Sequence, residues 1–214
     1  QLAREDLERE KIEYHFVETD AHLTGSVAVF VDQTGERSMV SGHGADFYLI
    51  PSELPRNAII SSNHLHLTAW SFFTDPPRSA ARMAAQLAQQ NNLTISFDPA
   101  SFQMIQEMGV DQFLSWTKDL AIDIFFPNFE EGRVLTGCDE PEAIVRALAN
   151  TYTDALIILK LDHSNVVIAT IIITPTKAAI GNLPITGAPK STISKIVKAA
   201  IIPESLALEP APRF

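Results

Sequence analysis

Glycine is scarce in this chain. There are 9 glycines among 214 residues, where ordinary usage near 7% would supply about 15. Folds that wrap backbone closely around phosphate place glycine at the approach, so an extended glycine-rich phosphate loop is not expected. Cysteine is nearly absent. Cys138 stands alone, which excludes an internal disulfide and a cysteine-rich zinc site. No apolar run approaches the roughly 20 residues of a membrane span. Positive charge is also in short supply, with 16 Lys and Arg against 26 Asp and Glu, a net charge of −10. Phosphate-backbone binding draws on clustered cations, so no nucleic-acid partner is expected. An initiator methionine is missing too, since the chain opens on Gln1 within the helical pattern "QLAREDLEREKIEY". No signal-peptide h-region occurs. These absences lead us to expect a cytoplasmic protein without a membrane partner, lacking sequence upstream.

What is present is an alternation. "HLTGSVAVFVD" and "ERSMVSG" are β-rich runs around "QTG", the pattern of a hairpin. "AIISSNHLHLTAW" reads as a strand or pair of strands, and "PRSAARMAAQLAQQNN" as an Ala- and Gln-rich helix with Pro77 at its start. The strand "LTISF" follows, then a helical stretch broken at Gly109. The strand "IDIFF", helices over 130–135 and 141–150, the strand "ALIILK" and a further candidate in "NVVIATIII" complete the series. From about Ile59 to Lys160 this is the signature of βαβ units and a parallel sheet. The fold class expected is α/β, with near-continuous apolar strands covered by helices on both faces.

Ligands of open parallel sheets bind beyond the carboxyl ends of the strands. Three exits here carry polar groups: Asp98 after "LTISF", Asn128 with Glu131 just after "IDIFFP", and Lys160 after "ALIIL". Two carboxylates, an amide and an ammonium on one edge would suit a metal–phosphate ligand. Equally, strand exits are loops, and loops are polar. On its own, the acidic pair in "FFPNFEEGRVLTG" is a dipole-favoured helix start. His64 and His66 alternate on one strand face and could chelate a metal, but a hydrogen-bonded structural role fits two histidines without a third ligand better. Trp70 and Trp116 read as core or interface aromatics. No G-x-G-x-x-G or G-x-x-x-x-G-K-[ST] occurs, which argues against a dinucleotide enzyme or a P-loop NTPase.

In order along the chain, "LTGSVAVFVDQTGERSM", "LHLTAW", "ISFDPAS", "FFPNFEEGRVLTG" and "IILKLDHS" resemble the elements of the PfkB (ribokinase-like) carbohydrate kinases. They match the β-lid, a strand ending in a small residue and an aromatic, strand–Asp-Pro, Pro-Asn-x-x-Glu, and the strand into the nucleotide loop. The resemblance implies a three-layer α/β/α fold with a mostly parallel sheet and a small β-lid hairpin. It implies ATP and Mg²⁺ as cofactors and phosphoryl transfer to a sugar or nucleoside hydroxyl. Carried over by position, Asn128 lies at the nucleotide phosphates and Lys160 at the nucleotide loop. Glu131 holds Mg²⁺ through water. Thr24 and Gly25 of the lid approach the substrate, and Asp98 supports the groove. The lid (about 22–42) also implies a homodimer. The partial kinase domain is expected over 1–169, followed by a divergent segment over 170–214 with one amphipathic helix and a Pro-rich tail.

The chain departs from the family pattern at three places. The N-terminal strands and Gly-Gly/Asn sugar-binding region that the family has upstream of the opening helix are lacking from this sequence. Asp162 and Asn165 stand where the nucleotide loop has glycines. The stretch "ITGAPKST" keeps Thr186, Gly187 and Ala188, then puts Pro189 and Lys190 where Gly-Asp, with its catalytic base, belongs. One reading is an accidental match in unrelated sequence. The other is a displaced relative of that element, because Ile193, Ile196, Val197, Ala200 and Ile201 follow it at helical spacing. The balance falls on accident. Either way a protonated Lys190 cannot serve as the base, a function worth about 10²–10⁴-fold. The expectation is therefore a carbohydrate kinase by family whose chain is incomplete and catalytically impaired. The alternative is a non-catalytic remnant or dimerisation module.

Overall fold

The structure, a computed structural model, describes residues 2–35, 37–161 and 167–170. After helix α1 (Leu2–Arg9) comes a separate antiparallel hairpin, β1 (Ser26–Val31) and β2 (Arg37–Gly42). The rest is a sheet in which β3 (His64–Thr68), β4 (Thr94–Asp98), β5 (Ile124–Phe125) and β6 (Leu156–Lys160) lie parallel in chain order. An antiparallel β7 (Val167–Thr170) closes the sheet beside β6. The helices are α2 (Arg56–Ser61), α3 (Pro77–Gln90), α4 (Phe102–Met108), α5 (Val110–Thr117), α6 (Phe129–Thr136) and α7 (Pro141–Thr151). This is the expected α/β fold with a mostly parallel sheet and a separate hairpin, but among the described residues the helices pack on one face of the sheet rather than on both.

Strand order explains where the helices sit. Each parallel strand is added beside the last in the same direction, and right-handed crossovers then place the connecting helices on a common face. By register, Leu65, Leu67, Ile95, Phe97, Phe125, Ile157 and Leu159 share that face. They join one core with Ala81, Ala84, Ala85 and Ala88 of α3, Ile105 of α4, Phe113 of α5, Leu135 of α6 and Ile144 and Leu148 of α7. Alanines at i, i+3, i+4 and i+7 let α3 lie close on the sheet. Aromatic rings run through the middle, Phe97 stacking on Phe125 at 6.0 Å and Phe125 on Tyr152 at 4.5 Å. Each such side chain contributes about 1.5–3 kcal/mol by burial. Tyr152 keeps its hydroxyl inside by hydrogen bonding to Thr117 Oγ1 at 2.8 Å. Burial pushes its phenol up to about 12.

Two local readings change. "AIISS" is not strand but α2, whose Ser61 and Ser62 hydroxyls donate back to the Ala58 carbonyl at 3.1 and 2.8 Å. Ile59 is buried while Ile60 is exposed, so one helical face carries the apolar contact that resembled a strand. The first helix ends at Arg9 rather than continuing to Tyr14. The break at Gly109 occurs as expected, with φ at +89° between α4 and α5. No helix among the described residues is long and apolar enough to cross a membrane.

Candidate active site

The carboxyl ends of β4, β5 and β6 meet because β5 is only two residues long and its continuation stays stitched to both neighbours. The Phe126 N–H donates to the Phe97 carbonyl at 2.9 Å, and the Lys160 N–H to the Pro127 carbonyl at 2.8 Å. Pro127 has no N–H of its own to give to the sheet, so the chain turns out of it there. Asn128 forms one last bridge with Lys160 and becomes the N-cap of α6.

Asn128 and Glu131 then lock each other. Asn128 Oδ1 accepts from the Glu131 N–H at 2.8 Å, and Glu131 Oε2 accepts from the Asn128 N–H at 2.8 Å. This reciprocal capping box satisfies two otherwise orphaned donors. Its consequence for chemistry is a matter of sign. With Oδ1 held by the cap, the polar group that the half-buried Asn128 keeps for a ligand is Nδ2, a donor. Glu131 is only 2% exposed. Beside it, a Cβ on Gly132 would come within 2.6 Å of Ile144 Cγ2 and 3.1 Å of Leu159 Cδ1. The glycine lets α6 press against α7 and β6, which holds the cap over the β6 exit. Glu130 stays outside in an ion pair with Arg133 at 3.1 Å.

Lys160 reaches back across the β5 exit to Asp98, with Nζ 2.7 Å from Oδ2. Asp98 Oδ1 accepts from the Ala100 N–H at 2.9 Å, fixing its carboxylate. The pair is partly exposed and contributes no more than about 1 kcal/mol, so its main effect is to fix the ammonium at the exit of the strand that bridges to Asn128. Amide donor and fixed lysine fit a phosphate group, both giving hydrogen bonds to anionic oxygen. Among the described residues no group of three or more His, Cys, Asp or Glu could hold a metal ion. Mg²⁺, however, keeps several waters and needs only one or two carboxylates when it shares phosphate oxygens. A buried Glu131 fits that water-mediated mode.

Thr24 and Gly25 lie elsewhere, at the root of the hairpin. They line a cavity of about 780 Å³ with Arg4, Asp20, Asp46 and Trp70. The root is closed by glycine, since a Cβ on Gly44 would fall 2.0 Å from Gly25 N. Trp70 sits just past the end of β3, so this cavity opens at the same sheet edge as the polar exits. Of the two readings for Trp70, core or interface, this removes the core one, since the residue is 38% exposed and lines the cavity. Trp116 does pack on the core, its ring capped by the Arg78 guanidinium at 3.9 Å. Asp20 and Asp46 were missed entirely. Asp20 stands close in sequence to the Thr-Gly of the lid, but no sequence signal marked Asp46. His64 and His66 take the structural role, both bonded to Ser96 Oγ at 2.7 Å. Asp162, Asn165 and the 186–190 stretch, with Lys190 at the base position, lie outside the described residues, as does the amphipathic helix expected from Ile193.

The lid root, the Asp-Pro after β4 and the Asn–Glu cap occur together on one edge of this sheet, and over residues 1–193 the chain matches the pfkB family carbohydrate kinase. The chain belongs to that family. Among curated pfkB-type relatives, it is 28% identical over 138 residues to the ribokinase of Haemophilus influenzae, covering 62% of this chain and 40% of that one. It is 31% identical over 99 residues to the ATP-dependent ribose-1-phosphate kinase of Halopiger xanaduensis, covering 46% and 31%. The chain thus spans well under half the length of these relatives. Among solved structures, adenosine kinase from Sinorhizobium meliloti superimposes with a TM-score of 0.69 at 19% identity, over 83% of this chain and 57% of that one. Fructokinase from Vibrio cholerae gives 0.62 at 23%, over 85% and 61%. At these identities the structural likeness speaks for the fold.

Proposed function

We propose that the pfkB fold of this chain serves ATP-dependent phosphoryl transfer to an alcohol group of a sugar or nucleoside. The observation that carries this reading is the capped Asn128 beside Lys160. Together they bring an amide donor and an ammonium, the latter paired with Asp98, to the strand exits, which share a sheet edge with the hairpin-rooted cavity. Phosphoryl transfer needs positioning and charge stabilisation more than covalent chemistry from the protein. In this reading Asn128 Nδ2 and Lys160 Nζ bind nucleotide phosphate oxygens, and Asp98 positions Lys160. Glu131 fixes Asn128 and takes Mg²⁺ through water. Mg²⁺ bound there supplies neutralisation of the phosphate charge. Thr24 and Gly25 bring the lid against the acceptor. Because the sequence offers no Gly-Asp with a catalytic base in the 186–190 stretch, turnover falls well below that of an enzyme with a carboxylate base, while nucleotide binding persists.

Direct titration of the full chain with ATP, with and without Mg²⁺, tests the reading alongside ADP release in the presence of ribose, fructose or adenosine. Saturable, Mg²⁺-dependent nucleotide binding is expected, with slow or undetectable turnover. Absence of nucleotide binding would sink the proposal, and rapid turnover would remove the impaired-base part.

The hairpin supports a second, compatible role as a dimer surface. By register Val27, Val29, Val31 and Met39 share one face, and all four are at least half exposed. An apolar strand pair with free edges favours pairing with a second copy.

A further inference from the structure

We propose that the acceptor is an uncharged polyhydroxylated molecule, a free sugar or a nucleoside, and that Asp20 and Asp46 make the cavity reject a phosphorylated sugar. The inference rests on the kinase reading above but concerns a different part of the molecule. The cavity, about 780 Å³, falls within the usual range for small-molecule pockets and has room for a nucleoside. Its lining is unbalanced in charge. Among the described residues, Glu18, Asp20 and Asp46 line it against a single guanidinium, Arg4, and no lysine. Arg4 is already ion-paired with Glu18. His22, also in the lining, stacks flat on Tyr48 with ring centroids 3.5 Å apart.

Asp20 and Asp46 enter no ion pair among the described residues. Asp46 is held against the hairpin root by the absence of a side chain at Gly25, where a Cβ would lie 2.6 Å from Asp46 Oδ1. Asp20 and Asp46 are exposed residues of the lining, and such carboxylates accept hydrogen bonds from vicinal hydroxyls. They repel a phosphate dianion, and like-charge juxtaposition is an effective means of rejecting a wrong ligand. The remaining walls are aromatic. Trp70, Phe16 and Phe47 offer apolar faces to the C–H side of a sugar ring or to a base. The composition as a whole is acidic and aromatic, the opposite of a phosphate-recognising pocket.

The test is a set of calorimetric titrations of the full chain with ribose, adenosine, ribose 1-phosphate and fructose 6-phosphate, with Mg·ATP titrated separately. At least one neutral ligand is expected to bind about tenfold or more tighter than either phosphorylated sugar. The gap should narrow as salt rises, because screening weakens the repulsion. An Asp20→Asn/Asp46→Asn double variant, checked for folding by circular dichroism, should gain affinity for the phosphorylated sugars and lose it for the neutral ones. Equal or tighter binding of a phosphorylated sugar by the unmodified chain overturns the inference, whatever the variants do. So does failure of every neutral ligand to bind. The separate Mg·ATP titration reports on the phosphoryl-transfer reading itself. Nucleotide binding with the wrong sugar preference removes this inference alone.

Discussion

At the scale of single residues, the Asn128 side chain has two separable duties. Its Oδ1 caps α6, which leaves its Nδ2 as the donor for a ligand. Asn128→Asp keeps a good N-cap acceptor while placing negative charge where phosphate is expected. Its melting temperature should stay near that of the parent, while ATP affinity falls about tenfold or more, the equivalent of ~1.4 kcal/mol. Asn128→Ala loses both duties and should cost about 1 kcal/mol of stability as well. Parallel loss of affinity and stability in Asn128→Asp would show that the residue acts only through the cap. A second residue-scale expectation concerns pH. Burial, and then the neighbouring His66, lower the His64 imidazole below its ordinary value of 6.5, while Asp123 pulls it back up. The folded chain therefore resists a proton that the unfolded chain accepts. The stabilisation is complete above pH 6.5 and is lost as pH falls through the lowered folded value. Urea midpoints measured between pH 8 and 5 should decline, and His64→Gln should flatten that decline. An unchanged slope would show that the bonds to Thr94 and Ser96 carry no such linkage. That the two histidines lock onto Ser96 was half legible in the sequence. Alternation put them on one face, but only strand register put Ser96 between them.

At the scale of elements, glycine is spent where two backbones or packed elements touch. Gly132 faces Ile144 Cγ2, the branched methyl of a helical isoleucine with little rotamer freedom. Gly132→Ala should therefore destabilise the fold by about 1–3 kcal/mol through overpacking, outweighing the gain of up to about 1 kcal/mol in helix propensity. A chemical-denaturation midpoint decides it, and a stabilised variant would mean α6 can lift off α7 freely. Gly44→Ala should leave the parallel sheet's stability nearly intact while displacing the hairpin, because its Cβ would overlap the Gly25 backbone rather than a movable side chain. Hydrogen exchange confined to β1 and β2 would report that separation. Most elements were readable in advance. Alanine spacing marked α3, Gly109 marked the α4–α5 break, and the apolar runs marked β4 and β6. The α2 segment was not, because Ile59 and Ile60 side by side fit a buried strand as well as a helix with one face in the core.

At the scale of the whole molecule, the hairpin stands away from the helical core, with Val29 50% and Met39 57% exposed on one face and Phe30 and Val40 exposed on the other. The expected solution state is a dimer through the Val29 and Met39 face. Light scattering should give twice the chain mass, falling to one with Val29→Lys/Met39→Lys. A monomeric parent at tens of micromolar would remove the dimer proposal. The sequence alone determined the α/β class, the order of strands and helices, and which side chains stand at the strand exits. Apolar periodicity and proline or glycine punctuation are local signals, and local signals place residues along the chain. Only the tertiary structure decided what those exits do to one another. Parallel pairing in chain order set Lys160 across β5 from Asp98, and the return of the chain into α6 turned Asn128 into a donor by occupying its oxygen with Glu131's amide. The fold also gathered Asp20, Asp46 and Trp70, separated by up to 50 residues, around one cavity. No period in the sequence links them, because what joins them is the closure of the hairpin root onto the end of β3.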